Sequence, residues 1–252
     1  MTDRGLRNTR GQSEVLGFVL VFAIVVTAIG LVTATGFAGL QHAKHVDEAN
    51  NGARAFEIFG DNVNDIVLGR APHRSTEIKL VDSRLALGAP VHVNVSGERI
   101  GDPAANFTES YSVRPVLYDV GDGTTHVYEG GAVIRQERGG VIMLREPAFI
   151  LSENESVIPI VNVRPKHLDS SSVGGTGTFD VRTHLTSTEL LAAETVPYHL
   201  EMEITSPRAA AWERYFRDLD CGSVTRVTDT VTCDIDSQRV YVTVVNVDVE
   251  FE

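Results

Sequence analysis

Val15 to Leu40 form 26 consecutive positions without a charged side chain, and directly before them stands Arg10-Gly11-Gln12-Ser13-Glu14. As a helix this run reaches roughly 39 Å, more than the ~30 Å hydrocarbon core of a bilayer, so it can span with some tilt. A secretory signal would place its cleavage site after the run, and Val32-Thr33-Ala34 and Ala34-Thr35-Gly36 imitate such a site. A basic residue and a glycine ahead of the run suggest processing on the near side, which leaves the helix with the mature protein. Cysteine is absent near the run, which excludes a lipid-modified cysteine anchor.

The helical pattern continues past the apolar run. Val46, Ala49, Ala53, Phe56, Phe59, Val63 and Ile66 recur at steps of three or four, and the opposite face carries Asp47, Glu48, Asn50, Asn51, Arg54, Glu57, Asp61 and Asn62. One helix from about Glu14 to Leu68 would be roughly 80 Å long. Gly52 and Gly60 could bend it, and Gly69 with Ala71-Pro72 ends it. The stripe is too short for the sustained heptads of a coiled coil.

The stretch Arg10 to Gly36 resembles the class III signal of archaeal type IV pilins and archaellins, and is similar to bacterial type IV prepilins. The resemblance implies a prepilin peptidase cut between Gly11 and Gln12, removing a leader in which Arg4, Arg7 and Arg10 outweigh Asp3. The positive-inside rule gives the same orientation independently. It further implies a helix first stored in the membrane and then packed against copies of itself or other pilin-like subunits, with Glu14 neutralising the new ammonium of Gln12. Bacterial prepilins usually have an aromatic first mature residue and a glutamate fifth; here Gln12 is first and Glu14 third.

After Pro72 short β-rich runs alternate with turn residues: Glu77–Val81, Val91–Ser96, Tyr111–Val120, Val133–Gln136, Val141–Leu144, Val157–Val163, Thr178–His184, Val196–Thr205 and Arg239–Phe251. Gly121-Asp122-Gly123, Gly130-Gly131, Gly139-Gly140 and Gly174-Gly175-Thr176-Gly177 punctuate them, and Ser170 to Gly175 read as a loop. In the last run Val240, Val242 and Val244 are apolar in one phase and Val245, Val247, Val249 and Phe251 in the other. A β-bulge at Val244-Val245 would reconcile them, and Asn246, Asp248, Glu250 and Glu252 would make an acidic face. One helix interrupts the strands, with Ser206 as N-cap, Pro207 at the first position and Trp212, Tyr215, Phe216 and Leu219 on a core-facing side. The expected class is α+β: a leader over 1–11, a transmembrane or filament-core helix over 12–40, its amphipathic continuation over 41–70, and a predominantly antiparallel, sandwich-like head over 71–252.

The net charge of −12 is spread over the head, which argues against a nucleic-acid partner. Acidity with few lysines also resembles proteins of halophilic archaea. Cys221 and Cys233, the only cysteines, flank an apparent hairpin, Ser223 to Thr232. In a head facing an oxidising exterior a disulfide between them is the natural reading, with two free thiols as the alternative. Asn94, Asn106 and Asn154 each begin an Asn-x-Ser/Thr acceptor; Asn106 and Asn154 stand in turn-like surroundings and Asn94 in strand-like ones. Archaeal pilins are commonly N-glycosylated, so the resemblance raises all three.

No phosphate loop, dinucleotide fingerprint, nucleophile elbow or zinc-protease motif is present. His42 and His45, three apart on the helix, have the spacing of a ligand pair but are better read as interfacial decoration, and Asp119-Val120-Gly121-Asp122-Gly123 lacks the further acids of a calcium loop and reads as a turn. The expectation is a non-enzymatic subunit without metal or cofactor, anchored in the cell membrane with an extracellular head, partnered by prepilin peptidase, the membrane and pilin-like subunits. The alternative is a membrane-anchored β-domain that binds a surface partner without polymerising.

Overall fold

The computed structural model describes residues 10–102, 104–121, 123–167, 171–219 and 221–252, with only the backbone given for 10–14 and 34–49. The chain forms two compact units, Met1–Glu48 and Ala49–Glu252. Helix α1, Arg10–Val67, contributes to both. Its end follows the expected stop: Gly69 takes φ +69°, the left-handed conformation that suits a glycine after a helix.

Among the described residues the second unit carries thirteen strands and one further helix. They are β1 (His73–Leu87), β2 (Val91–Arg99), β3 (Phe107–Val113), β4 (Val116–Asp119), β5 (Thr125–Glu129), β6 (Ala132–Glu137), β7 (Gly140–Arg145), β8 (Ser156–Pro165), β9 (Ser172–Glu194), β10 (Tyr198–Thr205), α2 (Ala209–Asp218), β11 (Ser223–Val227), β12 (Thr230–Ser237) and β13 (Val240–Phe251). One sheet has the order β7-β6-β5-β4-β1-β9-β13-β8 and the other β11-β12-β10-β2-β3. All pairings are antiparallel except β13 with β8. The class is α+β.

The eight-stranded sheet is covered on both faces, and this explains the slip in β13. Val240, Val242 and Val244 join the core shared with the five-stranded sheet and α2. Val245, Val247, Val249 and Phe251 join a second core with Phe56, Phe59, Val63 and Ile66 of α1. Even and odd residues of one strand point to opposite faces, so an apolar set that changes parity has changed the face it buries. The bulge expected at Val244-Val245 is therefore not needed. β13 keeps an unbroken register with β8, and its shifts against β9 fall on either side, at Val242/Thr243 and Asn246/Val247. β8 makes the same exchange, with Ile158 and Ile160 in the first core and Val161 and Val163 in the second.

Several other expectations change. Tyr111–Val120 is two strands, because the chain leaves β3 of one sheet at Arg114-Pro115 and enters β4 of the other, and Pro115 has no amide proton to continue a ladder. The loop expected over Ser170–Gly175 is strand from Ser172 onward. Gly174, Gly175 and Gly177 pair with Arg84, Ser83 and Leu80 of β1, whose backbone supplies the partners that side chains do not; Ser170 lies outside the described residues. β5 was hidden by its polar His126 and Glu129, yet Gly130-Gly131, both at positive φ, close a two-residue hairpin that pairs Glu129 with Ala132. The α2 cap is Arg208 rather than Ser206, and its first residue is Ala209 rather than Pro207; Ser206 instead accepts the Arg208 amide on its hydroxyl at 3.0 Å, two residues before the cap. The acidic face of β13 is matched from both sides: Arg164 pairs with Asp248 at 3.1 Å, Lys166 with Glu250 at 2.6 Å and Arg182 with Glu252 at 2.8 Å.

Candidate functional site

Val15–Thr33 is a helix long and apolar enough to cross a membrane, with mean hydropathy 3.0. At 1.5 Å per residue it spans about 28 Å, close to the ~30 Å of a hydrocarbon core. None of its window is buried within the chain, and large side chains from Val25, at 48% exposure, to Phe18, at 72%, stand uncovered on every side. Exposed apolar surface of this extent needs lipid or protein around it. Phe18 and Phe22 stack one turn apart with ring centroids 6.2 Å from each other. The Thr27 hydroxyl donates to the Ala23 carbonyl at 2.7 Å, so this hydroxyl is satisfied inside the helix. A Cβ at Gly17 or Gly30 would meet nothing within 4 Å, so both leave smooth ground for a neighbour.

Arg10, Gly11, Gln12 and Glu14 belong to the backbone of α1; their side chains lie outside the described ones, as do those of His42 and His45, and residues 1–9 of the leader expected over 1–11 lie outside the described residues altogether.

The head is finished where the helix is not. Ala49–Val67 of α1 buries Phe56, Phe59, Val63 and Ile66 against the eight-stranded sheet. Gly52 and Gly60, read from sequence as bends, are contact points: a Cβ at Gly60 would lie 2.3 Å from Val133 Cγ2. The sheet edges are also defended. β8 carries Pro159 and Pro165 and is bridged at Val157 by Ile150. β7 and β11 lie against α2, where Arg214 donates to the Val141 carbonyl and Arg226 to Glu213. β3 turns Glu109 to the same side as Phe107 and Tyr111, an inward-facing charge that discourages a further strand.

The acceptor asparagines are placed differently from one another. Asn94 sits in β2, an inner strand of its sheet, and donates to Glu203 at 2.8 Å. Asn106 is exposed just before β3, with Thr108 also exposed. Asn154 is exposed in a bend, but its acceptor partner Ser156 is fully buried. Cys221 and Cys233 are joined, with Cα atoms 5.8 Å apart.

A cleft of about 630 Å³ opens beside that bond, lined among others by Ser152, Glu153, His199, Asp234 and Asp236. His199 Nδ1 lies 2.7 Å from Asp236 Oδ1, and this hydrogen bond raises the imidazole above its usual range against the opposing effect of desolvation. The Ser152 hydroxyl is engaged with Glu155, not with His199. Among the described residues no group of three or more His, Cys, Asp or Glu side chains is placed to hold a metal ion.

Sequence reasoning missed one buried ionic group. Glu129, 1% exposed at the end of β5, accepts from Arg208 Nε at 2.7 Å and from Trp212 Nε1 at 2.8 Å. A lone glutamate before Gly-Gly carries no sequence signal of burial; its partners stand about 80 residues away and only the fold joins them.

The chain matches, over residues 10–250, the family described as "Family of unknown function (DUF7289)", and it belongs to that family. No curated protein matches it, and no solved structure does.

Proposed function

We propose that this family member is an exported, pilin-like subunit, cut between Gly11 and Gln12 and assembling through its N-terminal helix into a surface filament or a smaller pseudopilus. The observation that carries this reading is the contrast between the two parts of α1. None of the Val15–Thr33 window is buried, whereas Phe56, Phe59, Val63 and Ile66 are already buried in the head. A segment apolar all round is suited first to a bilayer and then to a core of neighbouring helices. Two further observations support the reading. The head's sheet edges are defended, which leaves strand addition a poor route to polymerisation. The family match begins at Arg10 and takes in junction, helix and head together.

In this reading Arg4, Arg7 and Arg10 hold the leader on the cytoplasmic side, prepilin peptidase exposes the Gln12 amine, and Glu14 neutralises it in an apolar core where an unpaired charge is expensive. The head faces the exterior, and its exposed Asn106 is the best placed of the glycan acceptors. The competing reading, a membrane-anchored domain that does not polymerise, uses the same helix and lacks the cut.

The test is the N-terminal residue of the native protein from membranes or sheared surface material, read by mass spectrometry of the terminal peptide. A start at Gln12 supports the proposal. An intact Met1 favours the simple anchor, and a start beyond Ala34 means conventional secretion; either result overturns it.

A further inference from the structure

Helix α2 touches two edge strands at once, β7 of the larger sheet and β11 of the smaller. It is fixed along its whole length. Before its first turn Arg208 binds Glu129, and Trp212 joins the same carboxylate. In its middle Arg214 donates to the Val141 carbonyl of β7, while Glu213 accepts from Arg226 of β11 at 2.6 Å. Past its end the amides of Leu219 and Cys221 close onto the carbonyls of Tyr215 and Phe216, and Cys221 is bonded to Cys233 of β12.

The N-terminal anchorage is buried and ionic; at the C-terminal end Tyr215 and Phe216 are buried in the core, and Cys221–Cys233 is the covalent tie that holds the segment beyond them. What lies beneath is an edge that needs cover. β7 runs Val141-Ile142-Met143-Leu144 without a proline, and Ile142 is half-exposed. An apolar edge strand with free backbone groups is a template for pairing with another chain. We propose that α2 is a strap locked at its C-terminal end by Cys221–Cys233, so that the oxidation state of this pair decides whether the outer backbone of β7 stays covered.

The lock is chemically accessible from one side. Cys221 is partly exposed and Cys233 fully buried, so the thiolate of an external dithiol attacks Cys221 Sγ. The S–S bond breaks, Cys233 leaves as a thiolate and takes up a proton. The reagent's second thiol then displaces Cys221, which leaves as a thiolate and is protonated in turn, so that the reagent ends as a cyclic disulfide and the protein as two thiols. With Glu129–Arg208–Trp212 intact, opening is confined to the far half of α2. Under the reading above the lock closes only after export; that order of events rests on the reading, whereas the strap does not.

The test is hydrogen exchange on the full-length protein in detergent micelles, oxidised and after treatment with a dithiol, read over residues 140–145, 209–227 and 240–251. Reduction is expected to speed exchange about tenfold or more in the first two segments and to leave β13 unchanged. The double variant Cys221→Ser/Cys233→Ser should behave as the reduced protein does. Arg214→Ala, with the disulfide intact, should speed exchange over 140–145 alone. Equal exchange in both redox states overturns the strap. So does an equal rise in all three segments, because the bond would then stabilise the head as a whole. The terminal-peptide measurement bears on the pilin-like reading and not on this result, so the two can fail separately.

Discussion

Gly52 of α1 lies so close beneath Tyr118 of β4 that a Cβ there would stand 2.1 Å from the phenolic oxygen. Tyr118 is 1% exposed and stacks on Phe56 with centroids 6.0 Å apart, so it has little room to yield. Alanine is favoured over glycine in a helix by about 1 kcal/mol, whereas overpacking costs about 1–3 kcal/mol. Gly52→Ala is therefore expected to destabilise the head by about 1 kcal/mol net, and Gly60→Ala, against the buried Val133, by about 1–2 kcal/mol. Denaturant midpoints check both. Adding Tyr118→Phe to Gly52→Ala should restore part of the loss; no recovery would mean that the oxygen is not the obstacle.

Glu129 and Arg208 form a buried pair whose members cannot be removed singly without leaving a charge in the core. Glu129→Ala should cost about 3–5 kcal/mol, and the double change Glu129→Ala/Arg208→Met much less than the sum of the single changes. A double-mutant cycle by chemical denaturation measures this, and additive losses would count against the coupling.

His199 gives the head a pH-dependent contribution near neutrality. Its pKa is raised first by the hydrogen bond to Asp236, with further help from the charges of Asp236, Asp234 and Glu98. A folded pKa above the unfolded value of 6.5 means that the stabilisation is complete below about pH 6.5 and is lost as pH rises through the folded value. The pair is exposed, so the effect is small. His199→Gln should flatten the wild-type decline in melting temperature above pH 6.5, and an unchanged slope would refute the assignment.

Acid should act through other groups. Glu213, held low first by Arg226, Glu250 by Lys166 and Asp65 by Arg74 all have folded pKa values below the unfolded ones. Their contribution is present above the unfolded values, 4.5 for the glutamates and 3.8 for Asp65, and is lost as pH falls through the folded values. Lys166→Met should therefore narrow the loss of stability below pH 4.5, seen in thermal melts from pH 5 to 2.

Glycan occupancy should follow exposure. If the protein is glycosylated, Asn106→Gln is expected to remove a glycan from the intact mass, whereas Asn94→Gln, which breaks the bond to Glu203 in an inner strand, should leave the mass shift unaltered. A glycan on Asn94 alone would contradict this.

Much of the architecture was legible in the chain because two periods stand out in it. The apolar run and the stripe through Phe56, Phe59, Val63 and Ile66 predict one helix with an uncovered and a covered part, and the described side chains follow that division. Strands with strong alternation, such as Val91–Ser96, lie where the pattern puts them. Of the candidate site residues, the cysteines meet and Asn106 is exposed, while the side chains of Arg10, Gln12 and Glu14 lie outside the described ones.

The sequence by itself determined local properties: where the chain is apolar all round, where it turns, and that β13 changes parity at Val244-Val245. Only the tertiary structure decided what that change means, because an isolated strand cannot tell a bulge from a sheet covered on both faces. It also decided that the two helical glycines are contacts rather than bends, that β13's acids are matched by β8 and β9, and that Glu129 is buried with Arg208. In each case the deciding partner lies tens of residues away, and distance along the chain carries no information about it until burial of the two cores brings the pieces together.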